Sequence, residues 1–391
     1  MRIAFYAPLK SPTHAVPSGD RRVARLLIEA LERAGHVVEL ASTLRTYEPA
    51  GDFARQTWFR DQSAAAASDL VALWSGAGRA QRPDLWFTYH VYYKAPDWMG
   101  PAVAAGLGIP YVIAEASFAP KRMQGAWSLG HAAAGESIRA ASLVLCPIRD
   151  DVGCLEPLVS PPAKIRLLPP FVDPAPYRAA ARNRAAHRKR LSAEFHLDPS
   201  VPWIVVAAMM RMGDKASSYS MLASTLRRLT DIPWQIVVAG DGAARGAIEA
   251  AFESAAPGRS RFLGEYGADD LASLYPACDL CLWPAVNEAY GMSLLEAQAA
   301  GIPVVSRAIR GVPDVVCHGR TGLLAPPEDE AALAELARQL LVDGNRRRKM
   351  GQAAAQFVRA ERSVDSAATS LDQGLREIRA AANRSPAAVQ R

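Results

Sequence analysis

Met1-Arg-Ile-Ala-Phe-Tyr-Ala-Pro8 is an apolar strand signal that runs into a Pro/Ser/Gly loop reaching Gly19. Val23, Leu26, Leu27, Ala30 and Leu31 then recur at helical spacing up to Gly35, and His36-Val-Val-Glu-Leu-Ala41 is the next strand. A helix that crosses between two strands returns the chain in the same direction, so this order predicts parallel pairing. Working outward, Asp84-Leu-Trp-Phe-Thr-Tyr-His90, Pro110-Tyr-Val-Ile-Ala114 and Ser142-Leu-Val-Leu-Cys146 continue the sheet between Ala-rich helical stretches. A second series follows: Pro202-Trp-Ile-Val-Val-Ala-Ala208, Trp234-Gln-Ile-Val-Val-Ala-Gly240, Asp279-Leu-Cys-Leu-Trp283 and Ile302-Pro-Val-Val-Ser306. The expected fold class is α/β, two Rossmann-like, doubly wound parallel-sheet domains with ligands at the carboxyl ends of the strands and a cleft between the domains.

A chain of 391 residues exceeds what one core organises, and 50% hydrophobic with 21% charged residues suits two globular cores. Prolines at 161, 162, 169, 170, 174 and 176 precede the basic run Arg182, Arg184, Arg188, Lys189 and Arg190. They place a linker at 181–198, between an N-terminal domain of 1–180 and a C-terminal domain of 199–363. A last helix at about 364–383 is expected to pack back on the N-terminal domain, with the tail from Arg384 to Arg391 fraying.

The net charge of +6 favours anionic substrates or an anionic lipid surface, but no basic run interleaved with aromatics accompanies it, which argues against nucleic acid. The apolar start is too short for a signal peptide and no stretch reaches the length of a membrane span. The expected place is therefore the cytoplasm, with peripheral contact at the inner leaflet allowed. Cysteines at 146, 154, 278, 281 and 317 form no disulfide framework, and the lone pair Cys278 and Cys281 reads as packed thiols rather than a zinc site.

Chemistry concentrates in Asn287-Glu-Ala-Tyr-Gly-Met-Ser-Leu-Leu-Glu296, where a strand ends, a short loop carries Glu288, and a helix starts near Gly291 or Met292. First-turn N–H groups there would face the ligand edge and attract anions, while the carboxylates accept hydrogen bonds from sugar or ribose hydroxyls. Ser293-x-x-Glu296 also reads as a capping box, in which Glu296 would bond back to the backbone.

Glu288-x7-Glu296 followed by Ala297-x-Ala-Ala-Gly-Ile-Pro-Val-Val305 resembles the signature of family 4 retaining glycosyltransferases of GT-B fold. Arg261-Phe-Leu-Gly264, Leu271 to Tyr275, Asp279, Gly311-Val-Pro-Asp-Val-Val316 and His318-Gly-Arg-Thr-Gly-Leu-Leu324 fall in the family's order. The resemblance covers about residues 200 to 360 and is thin before them. It implies that Glu288 contacts the donor hexose and Glu296 the ribose, and that Ala289, Tyr290, Gly291, Met292 and Ser293 line the sugar and diphosphate. Arg211-Met-Gly-Asp-Lys215 is similar to the family's Arg/Lys pair, which neutralises the leaving diphosphate; here the spacing is one residue short and Ala216 replaces a glycine. Gly240-Asp-Gly-Ala-Ala-Arg-Gly246 departs from the dinucleotide fingerprint at Arg245, so NAD is not expected.

In the first domain Gly19 resembles the loop glycine over the donor phosphates, with Asp20 where a second glycine is usual. His90, at a strand end, lies where relatives line the sugars, and Glu115 stands where many carry a histidine. Lys121 and Arg122 are candidates to meet an acceptor's phosphate or carboxylate, and Tyr89, Tyr92, Tyr93 and Trp98 to stack on sugars. Pro169-Pro-Phe-Val-Asp173 lacks the glycine usual there, which points to altered donor or acceptor preference. No D-x-D element is placed to hold a divalent ion, so the resemblance implies a nucleotide diphosphate sugar donor, a saccharide or lipid-linked acceptor, and no metal or other cofactor. A sugar-nucleotide epimerase on the same fold and a non-catalytic binding module are the alternatives. Epimerisation without an acceptor would identify the first, and donor turnover that is lost in a folded Glu288→Ala variant would exclude the second.

Overall fold

The computed structural model describes residues 1–16, 18–161 and 164–384. Pro17 of the glycine loop, Pro162 of the proline cluster and the tail expected to fray beyond residue 384 lie outside them. In chain order the elements are β1 (Arg2–Tyr6), α1 (Gly19–Arg33), β2 (Val37–Ser42), α2 (Phe53–Gly76), β3 (Leu85–Val91), α3 (Gly100–Leu107), β4 (Tyr111–Ala116), α4 (Ser128–Ala140), β5 (Leu143–Cys146), α5 (Val152–Leu155) and β6 (Ile165–Leu167). There follow α6 (Ala175–Ala181), α7 (Arg184–Phe195), β7 (Trp203–Ala207), α8 (Asp214–Arg227), β8 (Gln235–Ala239), α9 (Arg245–Ala255), β9 (Ser260–Gly264), α10 (Ala268–Ala277), β10 (Leu280–Leu282), α11 (Met292–Ala299), β11 (Val304–Arg307), α12 (Val312–Val315), β12 (Gly322–Ala325), α13 (Glu330–Val342), α14 (Gly344–Glu361) and α15 (Val364–Arg384).

Two compact units result, Met1–Pro169 with Val364–Arg391 and Pro170–Ser363. The first holds a parallel sheet in the order β2-β1-β3-β4-β5-β6, the second one in the order β12-β11-β10-β7-β8-β9. Each order reverses once, between β1 and β3 in the first and between β7 and β10 in the second. At such a reversal the flanking crossovers leave in opposite directions and open a crevice at the carboxyl edge. The fold is thus a two-domain GT-B α/β fold.

Both cores are built on near-continuous apolar strands covered on two faces, as parallel sheets require. Tyr6, Trp86, Tyr111 and Trp74 fill the first; Trp203, Trp234, Trp283, Tyr219 and Phe252 fill the second. Cys278 and Cys281 are buried free thiols of the second core, where burial raises their pKa values, that of Cys281 to about 12.

The division lies at Pro169/Pro170, earlier than the boundary expected near 180, and residues 181–198 are no linker. Arg184 Nη2 and Arg188 Nη1 reach Asp279 at 2.7 and 2.9 Å, which ties α7 to the start of β10, and Leu191 is fully buried. An arginine run reads as solvated when the carboxylate it serves is about ninety residues away in the sequence. α15 belongs to the first unit: Val364, Ala367, Ala368, Leu371 and Leu375 form a buried stripe, and α15 packs on α1. Arg33–Asp365 at 2.8 Å and Arg379–Asp84 at 2.7 Å fasten its length.

Candidate functional site

The crevice of the second sheet opens at the ends of β7 and β10. After β7 the chain runs through Arg211 to α8, which carries Lys215 in its first turn. This loop lies hard against the loop after β8: Met210 donates its N–H to Asp241 O at 2.9 Å, and a Cβ on Gly240 would sit 2.0 Å from Ala208 O. Glycine at 240 therefore serves backbone packing, and the stretch that resembled a dinucleotide fingerprint acts as a strut.

After β10 the chain turns through Ala285 and Asn287, both with positive φ (58° and 53°), and Gly291 at 65° caps α11. A Cβ at 291 would approach Leu294 Cδ1 to 3.1 Å and Val315 Cγ2 to 3.3 Å, so both conformation and space call for glycine. Left-handed backbone at non-glycine residues costs about 1–3 kcal/mol and persists where the surroundings impose it. Here the surroundings are explicit. Val286 N–H donates to Ser218 Oγ at 3.0 Å, Asn287 Nδ2 to Asp214 Oδ2 at 2.9 Å, Arg310 Nη1 to Asn287 Oδ1 at 2.7 Å, and the buried Arg307 Nε to Pro284 O at 2.8 Å.

The two loops bring Lys215 and Glu288 into contact. Lys215 Nζ donates to Glu288 Oε2 at 2.6 Å and lies 5.5 Å from the centroid of the buried Trp283 ring. Their side chains are 33% and 18% exposed, so the pair is partly desolvated yet reachable. Arg211 is exposed, and its side chain has no protein partner among the described residues. Ala289, Tyr290, Met292 and Ser293 are half-buried along the loop and first turn of α11, whose leading N–H groups lack intrahelical acceptors.

Glu296 is placed differently from its neighbours. It is 3% exposed, on the core side of α11, with Tyr275 Oη 3.5 Å from its Oε2. The capping box is not formed: α11 begins at Met292 with Gly291 as its cap, so Ser293 is already inside the helix.

The first unit's crevice lies at the ends of β1 and β3. Ser18 caps α1 by accepting Arg21 N–H at 3.2 Å, and a Cβ on Gly19 would meet no protein atom within 4 Å, leaving the helix start open. His90 and Glu115 end adjacent strands, both at φ 65°. His90 Nδ1 lies 3.2 Å from Asp20 Oδ1 and 3.3 Å from Glu115 Oε1. Burial works against an imidazolium here, but Glu115 and Asp20 outweigh it and raise the His90 pKa above its ordinary value. Burial, with the charges of Glu115 and Asp20, also raises the Tyr89 phenol well above its usual range.

Asp20, read from the sequence as a missing glycine, is thus a partner of His90. Rings continue outward from the histidine: His90–Tyr92 at 5.0 Å, Tyr92–Tyr93 at 5.5 Å and Tyr93–Trp127 at 5.7 Å. Arg122 sits on the last pair, while Lys121 is exposed in the same turn and Trp98 stands apart from the chain of rings. Trp127, Asn287, Asp214 and Arg310 had no motif to announce them, except that Asp214 and Asn287 immediately precede Lys215 and Glu288. Among the described residues no group of three His, Cys, Asp or Glu is arranged to hold a metal ion.

Residues 214–357 match the family model for glycosyl transferases group 1. A D-inositol 3-phosphate glycosyltransferase of Salinispora tropica is 32% identical over 209 residues, 51% of this chain and 43% of the relative. The chain spans less than half the length of the curated relatives it matches. Among solved structures, a sucrose-phosphate synthase of Thermosynechococcus elongatus has TM-score 0.71 at 21% identity, covering 97% of this chain and 99% of that one. Anabaena HepE in complex with UDP has TM-score 0.71 at 17% identity, covering 96% and 100%. These two establish likeness of fold.

Proposed function

We propose that this chain, whose C-terminal unit is a glycosyl transferases group 1 domain, is a retaining, metal-independent glycosyltransferase that moves a hexose-type sugar from a nucleotide diphosphate sugar to an acceptor hydroxyl. The observation that carries the reading is the Lys215–Glu288 contact at the β7/β10 reversal, beside the Arg211 side chain and the start of α11. Cations and helix N–H groups at one edge suit a diphosphate, and a carboxylate beside them suits the hydroxyls of the attached sugar.

In this mechanism Arg211 and Lys215 hold the diphosphate and stabilise the charge that grows on it as the glycosidic C–O bond breaks, with the electron pair leaving on the β-phosphate oxygen. Glu288 fixes the hexose by accepting its hydroxyls. The acceptor oxygen bonds to the anomeric carbon on the face the diphosphate leaves, and its proton passes to that phosphate oxygen. No protein nucleophile is required. His90, with Asp20 and Glu115, orients the acceptor hydroxyl on the first unit. A saccharide or lipid-linked acceptor fits surface polysaccharide or glycolipid synthesis in the cytoplasm at the inner leaflet. No helix among the described residues is long and apolar enough to cross a membrane.

UDP-glucose is the first donor to test, because structural relatives are complexes with UDP and with UDP-glucose. A thermal-shift comparison of UDP-glucose, GDP-mannose and ADP-glucose in EDTA should show one of them stabilising the protein by mass action. Conversion of a nucleotide sugar to its epimer without acceptor would overturn the transferase reading.

A further inference from the structure

Tyr93 and Lys94 follow the end of β3, whereas Arg122 and Trp127 come from the segment after β4; the two segments meet at the carboxyl edge of the first sheet. Lys94 Nζ lies 5.9 Å from the Tyr93 ring centroid and 5.0 Å from that of Trp127. Arg122 Cζ lies 5.3 Å from each. One edge-on ring pair, 82° between planes, therefore braces two cations. Neither cation has a carboxylate partner among the described residues. Glu48, the acid beside them in the fold, is 3% exposed and accepts the N–H groups of Ala50, Gly51 and Asp52.

The frame beneath is fixed. Trp127 Nε1 donates to Glu48 O at 3.1 Å, and Glu48 N–H donates to Lys94 O at 2.8 Å. Two like charges gathered without a counterion repel each other; ring faces offset part of that, and an anion bound to both would offset the rest. We infer that Lys94 and Arg122, braced on Tyr93 and Trp127, form an anion subsite that takes a phosphate or carboxylate substituent on the acceptor sugar. Its role as an acceptor subsite rests on the transferase reading. The ring contacts from Trp127 back to His90 put it on the same edge as the group that orients the acceptor hydroxyl. Of the two cations flagged in the sequence, only Arg122 belongs to it; Lys94 replaces Lys121.

The test is titration of the full chain with glucose 6-phosphate, glucuronate and glucose, following the Trp127 indole N–H by NMR. At least one anionic sugar should shift that signal saturably and glucose should not, and Lys94→Gln and Arg122→Gln should each weaken binding by about 10-fold or more. The melting temperature of each variant verifies its fold. A response to glucose 6-phosphate alone identifies a phosphate site, and to glucuronate alone a carboxylate site. No response to either anion, or equal binding by folded variants, overturns the inference. UDP-glucose binding measured in parallel keeps the readings apart, since its failure with an intact anion response counts against the donor site alone.

Discussion

Glu288→Gln separates two roles of one side chain. In the free protein Glu288 holds Lys215 at 2.6 Å, so a diphosphate must win the ammonium from it. At an effective dielectric constant of about 20 the gross attraction at that distance is about 6 kcal/mol. Partial exposure of both groups, solvent screening and the cost of desolvation leave a net value between the roughly 1 kcal/mol of exposed pairs and the 3–5 kcal/mol lost when a buried one is broken, about 2 kcal/mol. Glutamine keeps the shape and removes the charge. UDP should then bind the variant up to about 30-fold more tightly, at about 1.4 kcal/mol per tenfold. Sugar transfer should fall about 100-fold, because a charge-assisted hydrogen bond to the hexose is lost. Calorimetric titration with UDP and a UDP-release assay with UDP-glucose read the two effects separately. Weaker UDP binding by a variant with wild-type melting temperature would refute the competition between Glu288 and a diphosphate.

Lys215→Ala and Arg211→Ala should each lower donor turnover by about 10²–10³-fold, and since the Arg211 side chain has no protein partner among the described residues, its variant should leave urea stability unchanged. Gly291→Ala should cost about 1–2 kcal/mol in a urea denaturation series, from positive φ and the tight approach to Leu294 and Val315. The raised His90 pKa sets a pH dependence: its contribution to stability is complete below the unfolded value of about 6.5 and is lost as pH rises through the higher folded value. Asp20→Asn should lower the folded His90 pKa, read from its imidazole NMR shifts, and shrink the stability difference between the two ends of that window.

The central strands were legible because runs such as Trp203–Ala207 and Leu85–Val91 are apolar nearly throughout, which a sheet covered on both faces demands. β6, β9 and β12 were not read as strands. They are edge or near-edge strands of three to five residues, and β9 is only half-buried along its length, so they carry little periodic signal. Lys215 and Glu288 were each flagged by the resemblance, but their contact depends on β7 and β10 being neighbours, which local pattern does not encode. Asp20 and Lys94 show the same gap: one stood where a glycine is usual and the other belonged to no motif. Their meaning comes from His90 at the end of β3 and from Trp127, far along the chain.

The central claim is tested most directly by incubating the protein with UDP-glucose and acceptor sugars in EDTA and reading UDP release together with the anomeric configuration of the product by proton NMR. The expected result is an α-glucoside formed without added metal by the wild type and about 100-fold more slowly by Glu288→Gln. A β-linked product, a requirement for divalent metal, or equal rates from the two proteins would contradict it.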